Sequence, residues 1–480
     1  MKKLPKILTL LCSATMLSAC GQPKIEPGQI RSNPVRLADH LYETTYVDWN
    51  EDKANMVASI LRKQPTYEDD IEDYDSFLEA LKEYGKYLSE AAQKFVEKMY
   101  EEDLLEEFYE AMFNMSCTSV RSENFIGRNF DWTYDDIDEY IVRVPADEAK
   151  HRNGSIGVAH CFFPTAIQNL IGMEDIIPML TMDGINDKGV AINVNVVVGD
   201  SECCGDTYGT FENAPEGEYC VGDLCTGFVV RYVLDHATSA ANAIYLLEHA
   251  NIYSVTGQEF HYMISDANES YVCEFVNNNL AVLKGKGKNA AMANFHVTHS
   301  PYVTDYDIVY PANTVLEPSD YEGFDIEIEH EKLVSNKYYR YPMGVERYQR
   351  VKEDVASVNS RDKMLKNMEK VYYKKMYLPG NERAYWSDCN FHFYEIGDDY
   401  GQFTYYDDAS LDELRMKEFK ALQEKYAKVV AFEEQTGIRT PSNVLSTGLC
   451  QTVHSSAYDI KGKKLSVNIQ EIAKAYEFSL

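Results

Sequence analysis

Basic residues are scarce in this 480-residue sequence, in which 46 Lys and Arg stand against 77 Asp and Glu, for a formal net charge of -31. Binding to nucleic acid requires a basic surface that meets the phosphates, so this imbalance argues against nucleic acid as a partner. An excess of negative charge instead favours solubility. Low-complexity repeats are also missing. With 45% apolar and 12% aromatic residues, the composition is typical of a globular protein with one or two domains.

A long apolar run is missing from the N-terminus, where Ile7 to Met16 is too short to cross a bilayer as a final anchor. Three lysines lie within the six residues before this run, and Leu17-Ser18-Ala19-Cys20 follows it, as in a secretory signal. Leu-Ser-Ala-Cys resembles the bacterial lipobox, whose cysteine is acylated. We therefore expect residues 1–20 to be a lipoprotein signal with Cys20 lipidated, and residues 21–35 to be a tether. The exported protein would then be held at the extracytoplasmic face of a bacterial membrane. An ordinary cleaved signal with an incidental Cys20 is the alternative.

The sequence contains 11 cysteines but no thiolate pairs at the spacing of a structural zinc site. Four of them, Cys203, Cys204, Cys220 and Cys225, lie in one glycine-rich stretch. Export permits disulfides, so this stretch is predicted to be a loop stapled by disulfide bonds. Zinc binding is the competing interpretation and is less favoured.

The residues before Cys117 differ in character from those after it. Residues 36–116 are acidic, and apolar residues recur at three- and four-residue spacing from Phe77 to Met99, which predicts an amphipathic helix. We interpret residues 36–116 as a helical propeptide or N-terminal subunit and residues 117–480 as the catalytic domain. The acidic run Glu68 to Asp75 is interpreted as a solvated surface.

Short apolar runs separated by turn residues predict antiparallel strands after Cys117. These runs are Val190–Val198, Phe260–Ser265, Tyr271–Val276 and Leu280–Lys284. Helical spacing is found in Leu224–His236, Ser239–His249 and Ser410–Phe432. Because strands and helices do not alternate strictly, a layered α+β fold is favoured over a doubly wound parallel sheet.

Cys117 lacks a neighbouring histidine in the sequence, although a thiol needs a base to become a good nucleophile. The free α-amino group of Cys117 itself would be such a base if the Ser116–Cys117 bond were cut. An α-amine titrates near pH 8 in model peptides, so modest tuning makes it a competent base at neutral pH. This is the logic of the N-terminal nucleophile hydrolases.

The motifs after Cys117 resemble, in order, those of the choloylglycine hydrolase family of linear amide hydrolases, which includes bile salt hydrolases and penicillin V acylases. The matching segments are Cys117-Thr118-Ser119, Gly127 to Trp132, Asp183 to Val190, Ala293-Asn294-Phe295, Glu346 to Arg350 and Ala457 to Ile460. This resemblance implies an αββα four-layer sandwich of the N-terminal nucleophile type. It also implies hydrolysis of non-peptide C–N bonds without a cofactor or a metal.

The resemblance also implies the residues of the site, which are Cys117, Arg128, Asp131, Asn195, Asn294 and Arg347. Cys117 is expected to be the nucleophile, Arg128 to lower its pKa, and Asp131 to orient its α-amine. Asn195 and Asn294 are expected to stabilise the oxyanion, although Asn193 is the alternative on the same strand. Arg347 would complete the charge network. Taken singly, Arg128 with Asp131 could be a plain salt bridge and Arg347 a surface charge.

The long segment before Cys117 resembles the propeptide of the acid ceramidase and N-acylethanolamine amidase branch, which stays bound after autocleavage. The expected substrates are therefore amides with an apolar acyl group, such as conjugated bile acids, penicillin V or N-acyl lipids. Two other functions remain open: transfer of the acyl group to an amine, and non-catalytic binding by a surface lipoprotein. A homo-oligomer is possible.

Overall fold

The computed structural model describes the chain in the following ranges. They are residues 31–38, 40–49, 116–132, 138–160, 177–197, 223–225, 228–253, 259–276, 279–295, 297, 306–308, 327–329, 332–334, 344–379, 384–389, 393–396, 403–406, 408–437, 446–447, 451–469 and 475–480. The predicted signal peptide with Cys20, the amphipathic helix from Phe77 to Met99, and Cys203, Cys204 and Cys220 lie outside these ranges. No helix within them is both long and apolar enough to cross a membrane.

A ten-stranded sheet forms one half of the core. In spatial order its strands are β1 (Val35–Ala38), β2 (Leu41–Thr45), β5 (Glu139–Val144), β6 (Ser155–His160), β7 (Thr181–Asn186), β8 (Ala191–Val197), β11 (Glu259–Ser265), β12 (Ser270–Val276), β13 (Asn279–Gly285) and β15 (Tyr306–Ile308). Neighbouring strands are antiparallel, except that β2 runs parallel to β5.

A six-stranded antiparallel sheet forms the other half. Its spatial order is β14 (Ala290–Met292), β3 (Ser116–Ser122), β4 (Phe125–Trp132), β23 (Gln451–Asp459), β24 (Lys464–Ile469) and β25 (Tyr476–Ser479). Four smaller sheets pair β9 (Asp223–Cys225) with β10 (Asn251–Tyr253), β16 (Glu327–Glu329) with β17 (Lys332–Val334), β18 (Tyr373–Tyr377) with β19 (Tyr385–Cys389) and β22 (Ser446–Thr447), and β20 (Phe393–Ile396) with β21 (Phe403–Tyr406).

Five helices are described: α1 (Val229–His236), α2 (Ala240–His249), α3 (Val345–Lys352), α4 (Arg361–Met368) and α5 (Asp408–Thr436). The Ser239 hydroxyl caps α2 by accepting from the Asn242 N–H at 3.0 Å. Helices α1 and α2 pack on the ten-stranded sheet, α3 and α4 pack on the six-stranded sheet, and α5 contacts β19.

Residue alternation along the strands builds four layers. Strand β8 turns Ile192 and Val194 toward the apolar cluster that contains α1 and α2, whereas Ala191 joins the cluster between the two sheets. On the other sheet, Val120 packs with α3 and α4, while Ile126 faces the ten-stranded sheet. Because side chains alternate along a strand, the central strands of these sheets have one face toward helices and one toward the opposite sheet. The α+β class and the αββα layering expected from the sequence are confirmed.

Part of the segment predicted to be helical is instead strand. Residues 35–38 and 41–45 form β1 and β2, and β2 pairs with β5 in the ten-stranded sheet. This strand contains Tyr42, Thr44 and Thr45, which are residue types that favour β-structure. Its backbone forms hydrogen bonds with β5, so pairing with a distant strand stabilises it as a strand rather than a helix. Helix α1 also begins at Val229 rather than near Leu224, because β9 pairs with β10. The four predicted strands and the helices α2 and α5 are confirmed.

Candidate active site

Cys117 lies in β3 and is almost fully buried, at 1% exposure. The hairpin of β3 and β4 pairs Cys117 with Phe130 and Ser119 with Arg128. Diagonal neighbours on one face of an antiparallel pair are within reach of long side chains. Arg128 accordingly extends toward Cys117, with Nη2 3.6 Å from the sulfur. Sequence proximity and hairpin register together place this cation beside the thiol.

Arg128 is held by two groups besides the thiol, through three hydrogen bonds. Its Nε and Nη2 donate to the Val194 carbonyl at 3.2 and 2.9 Å, and Nη1 donates to Asp183 Oδ2 at 3.0 Å. The guanidinium is planar, so these contacts fix the direction of the N–H that faces Cys117.

The backbone of Cys117 is held by Asn294 and Arg347. The Cys117 N–H donates to Asn294 Oδ1 at 2.8 Å, and Arg347 Nη1 donates to the Cys117 carbonyl at 2.6 Å. Arg347 also donates to Thr118 Oγ1 and to Asn294 Oδ1, each at 2.6 Å. Asn294 Nδ2 donates to the Val196 carbonyl at 2.7 Å, which ties the site to the ten-stranded sheet.

Gly344 precedes α3 and permits Arg347 to approach Asn294. Its φ of 93° lies in the left-handed region, and a Cβ there would lie 2.7 Å from Ala293 Cβ and 2.9 Å from Arg347 Nη2. A side chain at this position would therefore meet both steric conflict and backbone strain.

Asp131 is fully buried and lies close to Arg347. Its Oδ1 accepts from Thr452 Oγ1 at 2.6 Å, and its Oδ2 lies 3.9 Å from Arg347 Nη1. Burial raises the pKa of Asp131 to about 7, although Arg347 and the Thr452 hydroxyl oppose the rise. This carboxyl can therefore change its charge near neutral pH.

Of the two candidate asparagines in β8, Asn195 reaches the strand that carries Cys117. Asn195 Oδ1 accepts from Ser119 Oγ at 3.1 Å, and its Nδ2 donates to the Met292 and Ala293 carbonyls at 3.3 and 3.4 Å. Asn193 lies two residues before Asn195 in β8, opposite Asp183. The structure thus brings together all six residues that the sequence singled out, with Asn195 rather than Asn193 beside Ser119.

Burial dominates the electrostatics of the thiol. It raises the pKa of Cys117 above the usual value, while the Arg128 guanidinium opposes the rise. Within the described ranges, the thiol receives hydrogen bonds from Arg128 and from the Asp131 backbone N–H, and none from an imidazole.

Four buried residues near Arg128 were missed in the sequence: Asp183, His454, Glu139 and His160. Asp183 lies in the matching segment Asp183 to Val190 but was given no role in the site, and it contacts both Arg128 and His454. The alternating polar residues His454, Ser456 and Tyr458 in β23 were the available signal, because they mark one face of a strand. No cluster of His, Cys, Asp and Glu suited to a metal ion is found among the residues described.

Comparisons with known proteins give one family match and several likenesses to solved structures. Residues 115–322 match the model for linear amide C–N hydrolases of the choloylglycine hydrolase family. The chain is similar to a mutant conjugated bile acid hydrolase from Clostridium perfringens, with 13% identity, a TM-score of 0.35, and coverage of 76% of this chain and 92% of the other. It is also similar to penicillin V acylase from Agrobacterium tumefaciens, with 14% identity, a TM-score of 0.29, and coverage of 76% and 86%. No curated protein sequence matches it.

Proposed function

We propose that this chain is a linear amide C–N hydrolase of the choloylglycine hydrolase family, whose model matches residues 115–322, and that Cys117 is its nucleophile, exposed by cleavage of the Ser116–Cys117 bond. The observation that carries the proposal is the convergence of Arg128 on the Cys117 sulfur and of Asn294 and Arg347 on its backbone. Three separate elements, β4, the segment after β14, and α3, meet at this one residue.

The newly formed α-amine acts as the base. It accepts the thiol proton as Cys117 Sγ attacks the acyl carbon of the amide, and it passes this proton to the leaving amine as the C–N bond breaks. Water, deprotonated by the same amine, then attacks the thioester and releases the carboxylic acid and the thiol. Asp131, with Oδ2 close to Arg347, orients the amine.

Asn195 and Asn294 donate to the oxyanion of each tetrahedral intermediate, a contribution worth about 3 kcal/mol per donor in comparable sites. The two hydrogen bonds that the Asn195 side-chain amide donates, at 3.3 and 3.4 Å, are longer than the common 2.9–3.0 Å of N–H···O hydrogen bonds. This amide therefore turns toward a substrate at little cost. Arg128 favours the thiolate by its charge.

The piece before Cys117 remains bound after cleavage. Strand β2 is paired with β5 over residues 41–45. Trp49 Nε1 donates to Asp235 Oδ2 at 3.1 Å, and Arg152 Nη1 donates to the Trp49 carbonyl at 2.8 Å. These contacts support a mature protein of two noncovalently associated pieces.

The acyl group of the substrate is apolar, as in conjugated bile acids, penicillin V or N-acyl lipids, and the amine is loosely specified because it departs first. Lipidation of Cys20 holds the exported enzyme on the membrane. The segment Leu17-Ser18-Ala19-Cys20 supports this location.

The test is amine release from glycine- and taurine-conjugated bile acids, penicillin V and N-acylethanolamines, together with the mass of each polypeptide. Wild type should turn over at least one class and should show a piece beginning at Cys117, whereas Cys117→Ser should lose most turnover. Cys273→Ala is the matched control, because Cys273 is also a free buried thiol but lies in β12. An uncut chain with full activity, or full activity in Cys117→Ser, would refute the proposal. Amide products formed with an added amine would indicate acyl transfer.

A further inference from the structure

Five buried side chains between the two sheets form a continuous line that leads away from Cys117, and we call them the inter-sheet cluster: Arg128, Asp183, His454, Glu139 and His160. Each is at most 1% exposed. Asp183 Oδ2 lies 3.0 Å from Arg128 Nη1 and 3.2 Å from His454 Nε2. His454 Nδ1 lies 2.9 Å from Glu139 Oε2, and Glu139 Oε1 contacts His160 Nδ1.

His454 is flanked by a carboxylate on each side of its ring. Burial disfavours the charged ring, but Glu139 and Asp183 outweigh this effect and raise the pKa of His454 to about 9. The pKa of Glu139 is held at about 2, because His454 and His160 outweigh the effect of its burial. His454 is therefore an imidazolium at neutral pH.

The remaining groups that face His454 leave this charge pattern unchanged. Burial lowers the pKa of His160, which keeps that ring neutral. Tyr458 donates its hydroxyl to Asp183 Oδ1, and the Phe130 ring stacks on His454 at 5.3 Å. Burial, together with Asp183, keeps the pKa of Tyr458 high, so it too is neutral.

Charges alternate along the inter-sheet cluster as Arg128 positive, Asp183 negative, His454 positive and Glu139 negative, with a sum of zero. A buried charge without a partner is costly, so each member depends on its neighbour. Asp183 Oδ2 is shared between Arg128 and His454. Without the His454 charge, the negative charge of Asp183 would bear on Arg128 alone and would cancel more of the positive field at the Cys117 sulfur.

We propose that His454 is a positioning residue: it shares Asp183 with Arg128 and so preserves the direction of the guanidinium and its positive field beside Cys117. His454 Nε2 lies 3.2 Å from Asp183 Oδ2 and 3.4 Å from Arg128 Nη1, and its charge also lowers the pKa of Asp131. The proposal builds on the assignment of Cys117 as nucleophile, but its test reads the thiol directly and needs no substrate.

The experiment measures the titration of the Cys117 thiol by its ultraviolet thiolate absorbance, as the difference between each protein and its counterpart carrying Cys117→Ser. His454→Gln keeps a hydrogen-bond donor but removes the charge, and it should raise the thiol pKa by roughly one unit, as expected for the loss of one nearby buried charge. The acid limb of the pH profile of kcat/KM should move in the same direction. His160→Gln removes a neutral ring from the end of the inter-sheet cluster and should leave the titration unchanged.

A double variant separates charge from mere structure. His454→Gln combined with Glu139→Gln removes one positive and one negative charge, so the sum returns to zero and the thiol pKa should return toward the wild-type value. A wild-type titration in His454→Gln would overturn the proposal, as would a double variant shifted as far as the single one. If His454→Gln does not fold, His454→Asn takes its place with the same expected shift, because it also keeps an amide donor and removes the charge. A shifted titration in a protein that hydrolyses no amide would support His454 while refuting the proposed function.

Discussion

Replacing Arg347 by Met should damage both stability and turnover, because this side chain joins the nucleophile to its surroundings. Arg347 donates three hydrogen bonds of 2.6 Å, to the Cys117 carbonyl, Thr118 Oγ1 and Asn294 Oδ1, and it lies 3.9 Å from Asp131 Oδ2. Charged hydrogen bonds contribute about 1.5–3 kcal/mol each, but bonds in one network are not additive. Removing one partner of a buried ion pair costs about 3–5 kcal/mol, and we expect a loss in that range.

The pH dependence of this loss identifies its origin. Arg347 is the strongest influence that lowers the pKa of Asp131, which burial otherwise raises to about 7. Without Arg347 this pKa rises further, so the native state binds a proton more readily than the unfolded state does. Stability then increases as pH falls, and the loss in Arg347→Met should be smaller at about pH 5 than at about pH 8.

The assay pairs denaturant unfolding with turnover per folded molecule, and Arg121→Met is the control. Arg121 is a buried arginine in β3, the strand that also carries Cys117. Its guanidinium donates to the Glu123, Asp266 and Glu269 carbonyls, away from Cys117. Both variants should be destabilised, whereas only Arg347→Met should lose turnover, by roughly 100-fold, as is typical when a nucleophile is misplaced. Wild-type turnover in folded Arg347→Met would refute the reasoning, as would an equal loss in Arg121→Met.

Two further predictions concern the region before Cys117. Trp49→Ala removes a ring that is 2% exposed and should weaken retention of the N-terminal piece by about 3–5 kcal/mol. Gel filtration of the processed protein should show the piece dissociating, while Val47→Ala, at 37% exposure, should retain it; equal retention in both would contradict the docking role of Trp49. Cys20→Ala should move the protein from the membrane fraction to the soluble fraction, and Cys12→Ala should not. If Cys20→Ala stays in the membrane fraction to the same extent as wild type, the result would argue against the lipid anchor.

The strands and helices that the sequence predicted correctly are those whose signal is local. Strand β8 and helix α2 carry their own period of two or of about 3.6 residues, and Ser239 marks the start of α2. Strand β2 was assigned to the wrong class because its partner β5 begins almost one hundred residues later, and pairing over that separation leaves no periodic signal nearby. The burial of Leu41 and Trp49 in the apolar clusters of the ten-stranded sheet was equally hidden.

The six candidate site residues could be named because each lies in a motif, and the motifs occur in the order found in the family that the sequence resembles. Arg128 could also be placed beside Cys117, since the two residues lie in one hairpin. The choice between Asn193 and Asn195 could not be made from the sequence. Both face the same way on one strand, and only the register of β8 against β11 and its packing against β3 distinguish them.

The sequence by itself determined which chemical groups were present, the order in which they occur, and the lack of a histidine near Cys117 along the chain. The tertiary structure decided which groups meet. It brought His454, 326 residues beyond Arg128, to that guanidinium, and it set two histidines and two carboxylates in line between the sheets. The physical reason is that ionic contacts between buried side chains depend on how strands from distant parts of the chain pair and face each other. A sequence pattern reports the face of its own strand but not what the opposite sheet presents to it.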